Sequence, residues 1–117
     1  MDFVKLHENV LALDHKIRFA TIFDTKRKII QSGHREGLTS ILNKNESKKS
    51  INEILLSHKT HQVLSSMYGK EMYSIGVYDK IIRIIIPLDK THMLYVTTDA
   101  DAEPFSIITK LSKLIQK

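Results

Sequence analysis

Ile81-Ile82-Arg83-Ile84-Ile85-Ile86 is isoleucine at every position but one, and the dipeptides Asp79-Lys80 and Asp89-Lys90 stand to either side of it. A β-branched run of this length between turn signals reads as a strand. Alternate side chains of a strand point to opposite faces, so isoleucine at both parities means that the sheet is covered above and below at this point. Pro87 removes one ladder donor near the end of the run, where pairing is already stopping.

The flanking segments supply the rest of a sheet. Glu71 to Tyr78 and Thr91 to Thr98 read as strands on either side of the isoleucine run, giving a three-stranded meander closed by the two Asp-Lys turns. Upstream, Lys16 to Asp24 alternates, with Ile17, Phe19, Thr21 and Phe23 on one face and Arg18, Ala20 and Ile22 on the other. Asp24-Thr25-Lys26-Arg27 is a turn signal and Lys28 to Ser32 the returning strand of a hairpin, after which Gly33 and Gly37 bracket a loop holding His34, Arg35 and Glu36.

Three helices provide the covering layers. Phe3, Leu6, Val10 and Leu13 repeat every three or four residues and predict a first helix. The longest runs from about Glu46 to Tyr68 and stops at Gly69, with Asn43 or Asn45 as the candidate N-cap and Asn43 spaced from Glu46 as in a capping box. One of its faces carries Ile51, Ile54, Leu55, His58, His61 and Gln62, while Leu56, Val63 and Met67 form a second stripe roughly opposite. Two apolar stripes need two partners, one being the sheet and the other a helix or a second copy of the chain. Pro104 opens the last helix, whose apolar face is expected to be Phe105, Ile108, Leu111 and Ile115. The expected fold is α+β: a mainly antiparallel five-stranded sheet with helices on both faces, in the order αββαβββα, as a single domain over residues 1–117.

That order resembles the roadblock (dynein light-chain) domain, a relative of the longin and profilin-like folds. The sequence also resembles a small uncharacterised family of thaumarchaeal proteins, through Asp24-Thr25-Lys26-Arg27-Lys28-Ile29, Arg35-Glu36-Gly37-Leu38-Thr39, Glu46-Ser47-Lys48-Lys49-Ser50, Tyr78-Asp79-Lys80-Ile81 and Pro87-Leu88-Asp89-Lys90-Thr91-His92-Met93-Leu94-Tyr95-Val96-Thr97-Thr98. The resemblance implies a bulky aromatic at position 58 and an arginine at 61, and this chain has histidine at both. The roadblock resemblance implies a fold and self-association, and the thaumarchaeal one implies no activity.

Composition narrows the functions. The absence of cysteine removes disulfides, thiolate nucleophiles and cysteine-held metals. The acids and His7 near the N-terminus do not suit a signal peptide, and no apolar run reaches the roughly 20 residues that span a bilayer, so a cytoplasmic protein without membrane contact is expected. Asn45-Glu46-Ser47 is then an idle glycosylation sequon. The net charge of +5 comes from lysines dispersed along the chain, which suits a solvated surface better than a nucleic-acid stripe.

No phosphate-loop, GxSxG, HExxH or kinase signature is present, and the expectation is a non-catalytic protein with no cofactor. His58 and His61 sit one helical turn apart without a carboxylate on that turn, which suits partly buried, hydrogen-bonded histidines at a helix–sheet or helix–helix contact better than a metal site. Arg83 is the residue the pattern leaves unexplained. With two-residue turns it falls opposite Gly76 on one side and Val96 on the other, and it needs an anion or a carboxylate such as Glu71 or Asp101. Two functions follow. The first is an interaction or regulatory module that forms a homodimer through Leu56, Val63 and Met67 and meets a further protein partner. The alternative is a PAS-like or profilin-like sensor holding a small anion near Arg83, Gly76, Tyr73 and the loop residue Arg35.

Overall fold

The computed structural model describes residues 2–38, 42 and 44–116. The elements follow in the expected order: α1 Phe3–Leu13, β1 Ile17–Asp24, β2 Ile29–His34, α2 Lys44–Tyr68, β3 Ser74–Val77, β4 Ile81–Pro87, β5 His92–Asp99 and α3 Pro104–Ile115. The five strands form one antiparallel sheet in the spatial order β2-β1-β5-β4-β3. No helix among the described residues is long and apolar enough to cross a membrane.

The isoleucine run lies inside this sheet, as its composition requires. Ile82, Ile84 and Ile86 face α1 and α3, where they join Val10, Ala20, Ile22, Leu94, Val96 and Leu111 in the larger core. Ile85 faces the other way, into a smaller core with Phe23, Met93, Tyr95 and the α2 residues Ile54 and Leu55. The two layers are unequal. Of the described side chains of α2, only Ile54, Leu55 and His58 are buried, although the helix has 25 residues.

Local chemistry sets the element ends. Asp2 caps α1 by accepting from the Lys5 N–H at 3.1 Å, and Glu103 caps α3 ahead of Pro104. Gly69 takes φ +87 just past α2, the left-handed conformation that glycine adopts at least cost. Of the two expected caps of α2, Asn43 lies outside the described residues. Asn45 is inside the helix, which begins at Lys44.

Several expectations are corrected. Ile17 shares the larger core with Ala20 and Ile22 rather than the face of Phe19 and Phe23, because an irregularity between Ile17 and Phe19 resets the alternation. Gly33 and His34 are strand residues paired with Ala20 and Phe19, not loop. The reason lies in α1: His7 hydrogen-bonds the Ala20 carbonyl at 2.8 Å, and its ring occupies the space over Gly33. In α3, Phe105 is exposed and Ile107 takes its place in the core. The buried arc centres on Leu111, and Phe105 is about 120° from it at 100° per residue.

The meander also departs from two expectations. The β3–β4 turn has two residues, so Gly76 faces Arg83 as expected. The β4–β5 connection has three, because the Asp89 carboxylate accepts from the Thr91 N–H at 2.8 Å and draws Thr91 into the loop. Arg83 therefore pairs with Thr97, one residue beyond Val96. Strand β3 starts at Ser74, not Glu71. Leu88 donates to His92 on β5, so the missing N–H of Pro87 is the one that would face β3, and the ladder stops there.

Candidate functional site

The irregular start of β3 is what builds the site. Because Glu71 is outside the ladder, its side chain turns under α2 and meets both histidines of the inner helix face. Glu71 Oε2 is in contact with His61 Nδ1 and accepts from Ser74 Oγ at 2.8 Å, while its Oε1 lies 3.9 Å from His58 Nδ1. His58 is 9% exposed, and among the described residues neither of its ring nitrogens has a hydrogen-bond partner. The carboxylate missing from the helical turn thus arrives from the next segment of chain. Among the described residues no group of three or more potential ligands is arranged to hold a metal ion.

Arg83 points from β4 toward the same space. Its Nη2 donates to Glu53 Oε1 at 3.0 Å, so the partner is a residue of α2 and neither Glu71 nor Asp101. Asp101 instead pairs with Lys16 at 2.7 Å. Among the described residues, Arg83 Nε is buried without a hydrogen-bond partner. Glu53 is also held by Ser57, which donates to its other oxygen at 3.0 Å. Between these groups lies a cavity of about 200 Å³, with Ile54, Ile85 and Met93 as its apolar walls and Glu53, Ser57, His58, His61, Glu71, Ser74 and Arg83 as its polar ones. A second hollow of about 500 Å³ lies beyond His58, His61 and Glu71, lined by Lys70, Pro87, Asp89 and Lys90 among others.

Of the four residues named from sequence as ligand contacts, Gly76 and Arg83 are cross-strand neighbours, whereas Tyr73 and Arg35 lie apart from them. Only Arg83 lines the cavity. The gap expected beside Gly76 is filled by Tyr78, whose ring lies over the guanidinium at 5.9 Å and would sit 3.2 Å from a Cβ at Gly76. Tyr73 is at the exposed outer margin of the sheet. Arg35 adjoins Arg18, donating its N–H to the Arg18 carbonyl at 2.7 Å, and β1 and β5 separate that position from Arg83 by roughly 14 Å at ordinary strand spacing. Glu71, His58 and Ser57 are the contacts that sequence reasoning missed at this site. The signal available was that Pro87 falls in register with Met72, which forbids a full-length β3.

The outer face of α2 is a second candidate. Leu56, Val63 and Met67 are 66%, 76% and 71% exposed and lie in one stripe along the helix. Close to the C-terminal half of this helix, the Glu71 contacts bring the unpaired edge strand β3, with Met72, Tyr73, Val77 and Tyr78 also exposed.

The fold so assembled is that of the roadblock/LC7 domains. The structure is similar to the gliding protein MglB from Thermus thermophilus, with a TM-score of 0.78 at 10% identity over 97% of this chain and 82% of that one. It is similar to a roadblock/LC7 domain from Streptomyces avermitilis, with a TM-score of 0.71 at 8% identity over 98% and 91%. An MglB with a tetrameric arrangement gives 0.77 at 11% identity over 97% and 82%. At such identity the likeness establishes the fold and nothing finer. No protein-family model and no curated protein matches the sequence.

Proposed function

We propose that the protein is a non-catalytic interaction module that forms a homodimer through the outer face of α2 and the edge of β3, and that the dimer serves a further protein partner. The observation that carries this reading is the exposed stripe Leu56, Val63 and Met67, because three large apolar side chains aligned on one helix face leave apolar area that association would cover. Strand β3 adds open backbone donors and acceptors at the sheet margin. An MglB of this fold is described with a tetrameric arrangement, which supports assembly as a use of the scaffold.

Light scattering on the eluting protein at high micromolar concentration tests the reading. A two-chain mass is expected, and Val63→Glu with Met67→Glu is expected to give a one-chain mass with unchanged circular dichroism. A single-chain mass for the unaltered protein overturns it.

A further inference from the structure

We propose that the cavity between α2 and the sheet binds a small zwitterion of the α-amino-acid class, with its carboxylate on Arg83 and its ammonium group on Glu71. The first support is unmet hydrogen bonding. Among the described residues, Arg83 Nε and both ring nitrogens of His58 are buried without hydrogen-bond partners, and both residues line the same cavity. Buried polar groups of folded proteins are almost always satisfied, so several unmet ones on residues that line one space leave hydrogen-bonding capacity there for a ligand to use.

The second support is charge. Glu53 and Glu71 line this space along with Arg83, so a phosphate or a dicarboxylate would bring negative charge against two acids. A ligand with one negative and one positive group avoids that conflict. Its carboxylate accepts from the free Nε–H of Arg83, whose Nη2 is already committed to Glu53. Its ammonium group donates to Glu71 Oε1, the oxygen that neither Ser74 nor His61 occupies, and to a ring nitrogen of His58. A zwitterion suits this mixed lining better than the anion expected from sequence.

The third support is size. About 200 Å³ is below the roughly 300–1,000 Å³ typical of drug-sized ligands, which points to a smaller molecule. The apolar walls Ile54, Ile85 and Met93 would receive a short side chain. The reading is independent of self-association, because the cavity is on the inner side of α2.

Isothermal titration of the full chain with each of the twenty common amino acids at millimolar concentration tests the proposal, with succinate and inorganic phosphate as comparators. At least one amino acid is expected to bind saturably. Arg83→Lys, which keeps the charge but removes the Nε donor, and Glu71→Gln, which keeps the shape, are each expected to weaken that binding about tenfold or more. Circular dichroism and melting show whether each variant is folded. No binding by any amino acid means that water fills the cavity and overturns the proposal. Tighter binding of succinate or phosphate overturns it in favour of an anion, and binding unchanged in both folded variants places the ligand elsewhere.

Discussion

Arg83 of the isoleucine strand and Glu53 of the long helix form an ion pair with Nη2 and Oε1 3.0 Å apart, in which the arginine side chain is largely covered and the glutamate half open to solvent. Such an asymmetric pair contributes little. The exposed carboxylate loses little on separation, while the guanidinium bears most of the desolvation. Arg83→Leu is therefore expected to leave stability within about 1 kcal/mol of the original or to raise it. Urea unfolding measures this, and a loss above about 3 kcal/mol would make Arg83 a structural keystone instead.

Two glycines have almost equally tight surroundings and should respond differently. A Cβ at Gly76 would meet Tyr78 at 3.2 Å, and one at Gly33 would meet His7 at 3.3 Å. Tyr78 is exposed and free to swing away, so Gly76→Ala is expected to cost less than about 1 kcal/mol. His7 is buried and tied to the Ala20 carbonyl, so Gly33→Ala is expected to cost about 1–3 kcal/mol. Paired denaturant melts compare the two, and equal losses would contradict the assignment of His7 as a fixed wall.

The thin attachment of α2 has a dynamic counterpart. Ile54→Ala removes one of its two buried aliphatic anchors and is expected to cost about 2–4 kcal/mol. Amide exchange of the unaltered protein, read at low concentration, is expected to be faster in the C-terminal half of α2 than in β5. Equal protection would show that the helix opens only with the whole fold.

Acid sensitivity follows from Asp14. The Lys16 backbone N–H, at 2.9 Å, and then the Lys110 side chain, at 3.1 Å, hold its carboxyl below the usual carboxylate range. A folded-state pKa below the unfolded value gives stability that is present above about pH 4 and is lost as the pH falls through the folded value. The melting temperature of Asp14→Asn is thus expected to be lower than that of the unaltered chain at pH 6, the gap narrowing as the pH falls through the folded value. A gap that persists in acid would point to packing instead.

The layered architecture was legible because it rests on periodicity. The isoleucines at 82, 84 and 86 and at 85 declare two covered faces, and the spacing of Leu6 and Val10 declares a helix. What was not legible depends on single local events that shift everything after them. Asp89 takes Thr91 into its turn and slides Arg83 from Val96 to Thr97. Pro87 cuts β3 short and frees Glu71 to reach His58 and His61, a contact between segments whose spacing carries no motif. Tyr78 closes the gap at Gly76 because a side chain two residues along the same face leans back over it.

The sheet has one side finished like masonry and one side hung like a door. α1 and α3 seal theirs with thirteen interlocked core residues, whereas α2 is fastened by little more than Ile54, Leu55 and His58. A molecule entering underneath and a chain docking on top would both push on the same panel. α2 is thus the one element that both proposed contacts, a ligand beneath it and a second chain above it, would share.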